Sequence, residues 1–184
     1  IKKKKINIII YTSSSSVYNS INENIFKDER NRKVYAALKI AAENLMKNFF
    51  YENKIKLCIT RIFNIFGENE RFSIISKIVD CHKSKANKLK LINKGQSIRD
   101  FIYIEDVVKV YRKIIKTKSE GIIDVGSGFG IEIYDIIKKL GINNFKISNI
   151  KKNETNFSIA QKIRFNLSTK NSLENFLLEN LNLK

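Results

Sequence analysis

Proline and tryptophan are absent from this 184-residue chain, and methionine, histidine and cysteine are nearly so, with one, one and two copies. Cys58 and Cys81 stand in an apolar run and an expected helix, without CxxC spacing or a nearby histidine pair. That arrangement argues against a disulfide framework and a Cys/His metal centre, so no metal is expected. His82, alone on a lysine-rich helix end, reads as a surface residue. No apolar run approaches the ~20 residues of a membrane span, and the opening lysines precede too few apolar residues for a secretory signal. The expectation is no membrane partner and a cytoplasmic location. No internal repeat and no Pro- or Gly-rich linker divides the chain. It opens at Ile1 while its lone Met46 lies well inside, so we expect a portion of a longer polypeptide.

Hydrophobic residues make up 43% of the chain, enough for a packed domain and too many for a disordered segment. The formal charge of +17 would suit a polyanion if the lysines clustered. Instead they are scattered among abundant Asn and Ile, which reads as a solvated basic surface, and no nucleic acid is expected as a partner. The run Lys2 to Lys5 leads straight into an apolar strand.

That strand is expected over 6–13, β-branched and bounded by serines, as a buried parallel strand would be. A helix follows over about 33–50, with Ala36, Ala37, Ile40, Ala41, Leu45 and Phe49 at helical spacing. Further strands are expected over 56–63, near 88–92 and over 122–125. Further helices are expected near 72–84, from Glu105 to Lys116 and near 131–139. Beyond about 143 the pattern loosens into a possible strand from Phe145 to Ile150 and a leucine-rich helix near 171–181. Alternation of this kind predicts an α/β sheet with crossover connections. Ligands of such sheets sit beyond the carboxyl ends of the strands, which here carry Ser13 to Ser16, Asn64 and Gly126 to Gly128.

Tyr35 and Lys39 are four apart on the first long helix and so project from one face. A phenol with a reference pKa near ~10 is a poor base at neutral pH, but a neighbouring ammonium favours the phenolate. The same ammonium can hydrogen-bond a ribose. In a lysine-rich helix the pair alone could be chance, and its context decides. The segments Tyr11-Thr-Ser-Ser-Ser-Ser-Val-Tyr18, Tyr35-Ala-Ala-Leu-Lys39-Ile-Ala-Ala-Glu43, Arg61-Ile-Phe-Asn-Ile-Phe-Gly67, Gly95-Gln-Ser-Ile-Arg-Asp-Phe-Ile-Tyr-Ile-Glu-Asp106 and Asp124-Val-Gly-Ser-Gly128 follow one another. In order and spacing they resemble the motifs of extended short-chain dehydrogenases/reductases, the NAD-dependent nucleotide-sugar epimerases and dehydratases, over about residues 6–140.

The resemblance implies the C-terminal part of a doubly wound Rossmann-like parallel sheet plus a small α/β substrate-binding subdomain. Residues 1–70 would be the C-terminal half of the NAD-binding domain and 71–184 mostly the substrate subdomain, with 104–126 returning to the Rossmann sheet. It implies Ser14, Tyr35 and Lys39 as catalytic residues, with Tyr35 the general base. NAD is the implied cofactor, contacted by Thr12, Tyr35, Lys39 and Phe63. The implied substrate is a nucleotide sugar, UDP-linked by the likeness to UDP-glucose 4-epimerases, contacted by Ser14, Asn64 and Arg99. A homodimer through two long helices, one bearing Tyr35, is implied for the full-length protein.

Family 4,6-dehydratases carry an Asp-Glu pair after the catalytic hydroxyl, because eliminating water needs a further acid and base. Ser15 and Ser16 occupy those places, which favours epimerisation over dehydration. Departures from the family pattern are Val34 before the tyrosine, Asn19 after the Val-Tyr pair and Glu68 after the Arg-block glycine. The family's GxxGxxG phosphate turn is not found, since only five residues precede Ile6. Two other readings stand beside this one: an inactive truncated chain, and an S-adenosylmethionine-dependent methyltransferase suggested by Asp124-Val-Gly-Ser-Gly-Phe-Gly130. Too little chain follows Gly130 for the latter fold.

Overall fold

The structure is a computed structural model that describes residues 6–19, 30–84, 88–142, 146–151, 157–166 and 172–182. The Lys2 to Lys5 run and Phe145 lie outside the described residues. Strand β1 (Ile9–Ser14) ends in a short 3-10 turn over Ser15–Asn19, and helix α1 spans Arg30–Glu52. After them come β2 (Leu57–Ile62), β3 (Asn64–Phe66), α2 (Ile74–Lys83), β4 (Lys88–Ile92), β5 (Ile98–Tyr103) and α3 (Ile104–Thr117). The remainder is β6 (Gly121–Val125), β7 (Gly130–Glu132), α4 (Ile133–Lys139), β8 (Lys146–Ile150), β9 (Phe157–Ser158) and α5 (Ser172–Leu181).

Strands β1, β2 and β6 form a parallel sheet in that order, with Ile10 opposite Cys58 and Ile59 opposite Ile122. Because successive strand residues face opposite ways, β2 addresses two layers. Cys58, Thr60 and Ile62 look toward α3: Cys58 and Ile62 pack with Val107, Val110 and Ile114 of α3 and with Ile123 and Val125 of β6, and Thr60 shares a hydrogen bond with Tyr111. Arg61, one residue on, reaches Glu43 of α1 on the opposite face. Helices therefore cover both faces of a parallel sheet, the doubly wound arrangement expected from the alternating pattern.

A second core lies among α2, β4, α4 and α5, centred on Phe66, Ile75, Ile78, Leu91 and Leu177. Strand β5 straddles the two cores. Its Ile102 packs in the sheet cluster while the adjacent Phe101 packs in the second. β5 runs parallel to β3 and β9 and antiparallel to β7, and β4 pairs with β8 in parallel.

The expected elements are present with ends displaced by a few residues, but β3, β5, β7 and β9 carry no clear period-two signal and were not expected. The Gly95 to Asp106 block reads as a motif in sequence; in the fold its centre is a central strand, buried on both sides and so lacking polar alternation. Helix α1 likewise departs from a simple amphipathic reading. Ala36 and Glu43 are its buried residues, whereas Leu38, Leu45 and Phe49 are exposed. His82, expected at the surface, is half-buried on α2. Cys58 and Cys81 are both buried, and neither is in a disulfide.

Candidate active site

The carboxyl end of β1 and the first turns of α1 bring Thr12, Tyr35 and Lys39 together. Lys39 Nζ donates to the Thr12 carbonyl at 2.9 Å and lies 5.2 Å from the centre of the Tyr11 ring and 5.8 Å from that of Tyr35. The ammonium is thus fixed at the strand end beside the phenol, one helical turn away, by a carbonyl and an aromatic face. Tyr35 itself is 47% exposed, open to an incoming ligand. Thr12 Oγ1 is 2.7 Å from the Tyr111 hydroxyl on the other face of the sheet. Ser14 Oγ accepts from the backbone N–H of Ser16 at 3.2 Å and from its hydroxyl at 3.0 Å. With both lone pairs engaged within the turn, the hydroxyl hydrogen of Ser14 is left as its outward donor.

Phe63 is buried between β2 and β3, its N–H on the Val125 carbonyl at 3.0 Å and its ring centroid 6.5 Å from that of Tyr18. The Asn64 amide donates to the Asp100 carbonyl at 2.8 Å, which welds β3 to β5. Arg99 belongs to β5, in register with Ile131 and Ser158, and donates to the Ile98 carbonyl at 2.9 Å.

Around this set lies a polar framework that sequence reasoning left without a role. Glu43, 2% exposed, accepts from Ser13 Oγ at 2.6 Å and takes a two-pronged pair from Arg61 at 3.0 and 2.7 Å. Burial pushes the Glu43 carboxyl up, but hydrogen bonds from Arg61 and Ser13 and the charges of Arg61 and Lys47 outweigh it and hold the group below the usual carboxylate range. Arg61 is raised in turn, chiefly by Glu43. The guanidinium also covers the Tyr18 ring at 4.6 Å. Tyr18 leaves a ring edge in solvent, at 38% exposure, yet turns its hydroxyl inward onto Asp124 Oδ1 at 2.7 Å. Desolvation and that hydrogen bond push the phenol up to about 12, so Tyr18 is a fixed donor at neutral pH. The one signal of this framework available in the sequence is an acidic residue one turn beyond Lys39 on a helix face that meets a sheet.

Asp100, fully buried, plays the corresponding part on β5. Its carboxylate accepts from Ser127 N and Oγ at 2.7 Å each, from Gly128 N at 2.9 Å and from Ala160 N at 3.1 Å. The Ser127 and Gly128 amides of the Gly126 to Gly130 turn, read in sequence as a possible cofactor cradle, are thus engaged by an internal carboxylate where a methyltransferase would need them for its ligand. A cavity of about 380 Å³ lined by Lys47, Phe50, Tyr51, Leu57 and Gly121 opens at the amino ends of β2 and β6, away from these residues. Among the described residues no group of three or more His, Cys, Asp or Glu is placed to hold a metal ion, and no helix is long and apolar enough to cross a membrane.

The profile of the NAD dependent epimerase/dehydratase family matches residues 1–126. The chain belongs to this family. Among curated relatives it is 28% identical over 155 residues to a dTDP-D-glucose 4,6-dehydratase of Dictyostelium discoideum, covering 76% of this chain and 36% of that one. It is 32% identical over 148 residues to an ADP-L-glycero-D-manno-heptose-6-epimerase of Brachyspira hyodysenteriae, covering 74% and 46%. The chain therefore spans less than half the length of these relatives. Among solved structures, a UDP-N-acetylglucosamine 4-epimerase of Methanobrevibacter ruminantium in complex with UDP-N-acetylmuramic acid superposes with a TM-score of 0.74 at 23% identity, over 96% of this chain and 62% of that one. A UDP-glucuronic acid 4-epimerase of Bacillus cereus in complex with UDP-glucuronic acid and NAD gives 0.72 at 21% identity, over 99% and 61%. These likenesses establish the Rossmann-type α/β fold of the family.

Proposed function

We propose that the protein works as an NAD-dependent nucleotide-sugar epimerase of the 4-epimerase type, by removal and return of hydride through a keto-sugar. The observation that carries this reading is an exposed phenol with an ammonium fixed beside it on the Thr12 carbonyl, on the strand end where a serine hydroxyl is oriented by its own turn. Residues 1–70 with 104–126 would supply the nicotinamide side of the site and the rest of 71–184 the sugar-nucleotide side.

The donor set fits the nicotinamide ribose. Lys39 offers an ammonium to ribose hydroxyls, Tyr35 and the Thr12 carbonyl flank it, and Phe63 walls the nicotinamide side. NAD, when bound, supplies the acceptor and donor of hydride. Tyr35 would take the sugar hydroxyl proton, with Ser14 donating a hydrogen bond to that oxygen, as hydride leaves the same carbon and the C–O bond becomes C=O; the proton would return when the hydride is given back to the other face. Asn64 and Arg99 stand on the strands expected to meet the UDP portion, where amide and guanidinium suit ribose and phosphate oxygens.

Relatives of the family include 4,6-dehydratases, which makes dehydration the reading to separate. A serine cluster supports epimerisation: Ser15 and Ser16 lie in the turn after Ser14, and the carboxylate that the cluster does reach, Glu43, is consumed by Ser13 and Arg61. We infer that the full-length protein is a homodimer through α1, whose Val34, Leu38, Leu45 and Phe49 form an exposed apolar stripe at helical spacing.

The test is turnover by the protein expressed from its complete coding sequence, with UDP-glucose and UDP-glucuronate. Expected are the 4-epimers at unchanged mass, and a loss of about 10²- to 10⁴-fold in kcat for Tyr35→Phe, the range for a general acid or base. A product lighter by one water would replace this reading with dehydration, and undiminished turnover by Tyr35→Phe would remove it.

A further inference from the structure

Ser13, Glu43, Arg61, Tyr18 and Asp124 form one continuous polar network that touches the proposed catalytic set without belonging to it. It brackets Ser14 in sequence, with Ser13 just before it and Tyr18 four residues after. On one side the Ser13 to Glu43 hydrogen bond fixes the end of β1 against α1, the helix that bears Tyr35 and Lys39. Arg61 carries the connection to β2 and covers the Tyr18 ring. On the other side the two oxygens of Asp124 divide the work. Oδ1 accepts the Tyr18 hydroxyl, while Oδ2 accepts Gln161 N at 3.0 Å and Lys162 N at 2.9 Å. The segment so held is continuous with β9, whose Ser158 pairs with Arg99 on β5, and Asp100 of β5 grips its Ala160 N–H.

Neither Glu43 nor Tyr18 is placed to exchange protons near neutral pH. Glu43 is held ionised by Arg61, and Tyr18 donates to an acceptor carboxylate. The network's consequence is geometric. The turn over Ser15–Asn19 is tied near its far end to β6 by the Tyr18 hydroxyl on Asp124, and that anchor is shared with the segment leading to the substrate-side strand.

We propose that Tyr18 and Asp124 are positioning residues: their hydrogen bond sets the Ser14 hydroxyl relative to Tyr35 and ties that setting to the 157–166 segment on the sugar-nucleotide side. The catalytic part of this inference rests on the epimerase reading above; the structural coupling does not.

Two measurements separate them. In the 184-residue chain, amide hydrogen exchange read by mass spectrometry should quicken in Tyr18→Phe at residues 14–19 and at 160–163 together, with α2 and α5 unchanged. Phenylalanine keeps the ring under Arg61 and removes only the hydroxyl. Asp124→Asn, which keeps one oxygen as acceptor, should give the same paired pattern at smaller amplitude, and it serves in place of Tyr18→Phe should that variant fold poorly. Quickening at 14–19 alone, or at neither site, overturns the coupling. In the full-length enzyme, Tyr18→Phe should lower kcat by about 10²-fold, the scale of a misplacement of an ångström or so, with KM little changed. In a Ser14→Ala background the same substitution should cost nothing further, because it acts through Ser14. Equal losses in both backgrounds would mark Tyr18 as merely structural and overturn the positioning role. If Tyr35→Phe retains turnover, the epimerase reading and the positioning role fail together, while the exchange result still decides the coupling.

Discussion

Gly126 sits where a methyl group would come within 2.6 Å of Asp100 Oδ2 and 2.7 Å of the Ala160 Cβ. Neither neighbour can yield easily, because that oxygen is held by the amides of Gly128 and Ala160. Gly126→Ala is therefore expected to destabilise the fold by about 1–3 kcal/mol, the usual range for overpacking a filled site. Thermal unfolding monitored by circular dichroism would check it, and an unchanged Tm would mean that the Asp100 clasp is looser than its hydrogen bonds imply. The glycine is needed here for close approach; its backbone is not in the left-handed region. Residue roles of this kind divide the polar groups around the site in two. Asp100, Asp124 and Glu43 are buried and spend their oxygens on backbone amides, hydroxyls and a guanidinium, whereas Tyr35 and Lys39 face outward with room for a ligand. Sequence reasoning found the outward pair because helical spacing places both on one face and the flanking motif blocks gave that spacing a context. It gave the buried acids no role, because their partners are up to 106 residues away in the chain.

At the scale of elements, α1 is held to the sheet by the Glu43 to Arg61 ion pair, 2.7 Å long with side-chain exposures of 2% and 13%. Removing one partner of a buried pair leaves the other charge uncompensated, at a cost of about 3–5 kcal/mol. Since the Glu43 carboxyl lies below its ordinary value of 4.5 in the folded state, its contribution is present above pH 4.5 and is lost as pH falls through the lower, folded value. Glu43→Gln should accordingly be less stable than the parent at neutral pH, and the gap should close as the solution is acidified. Urea unfolding at pH 7 and pH 3.5 measures this; a gap that widens in acid would contradict the assignment. The strands that pattern analysis passed over share a cause. β3, β7 and β9 are two or three residues long, too short for any period, and β5 is buried on both sides. Helix α1 was found by its spacing, yet the apolar positions that revealed it include exposed Leu45 and Phe49. The sequence pattern registers both its sheet-facing and its outward apolar residues and does not distinguish them.

For the molecule as a whole, that outward stripe is the feature with the plainest consequence. Leu45 is 71% exposed, and Val34, Leu38 and Phe49 extend the same line along α1. An apolar line of this length on a helix is better accounted for by a partner helix than by water. The full-length protein should sediment as a dimer, and Leu45→Glu should shift it toward monomer by about tenfold or more in Kd, equivalent to the ~1.4 kcal/mol that defines a decade. A parent that sediments as a monomer at micromolar concentration would dispose of the dimer.

The sequence by itself determined the alternation of strands and helices, the parallel sheet and the family, because each rests on local spacing: four residues from Tyr35 to Lys39, β-branched runs that end in serine or glycine, and motif blocks in a set order. Only the tertiary structure decided which of those residues meet. That the Lys39 ammonium rests on Thr12, that Arg61 bridges Glu43 and Tyr18, and that two buried aspartates clamp the 157–166 segment all depend on contacts between distant parts of the chain. Such contacts arise from packing both faces of one sheet, and no periodicity along the chain encodes them.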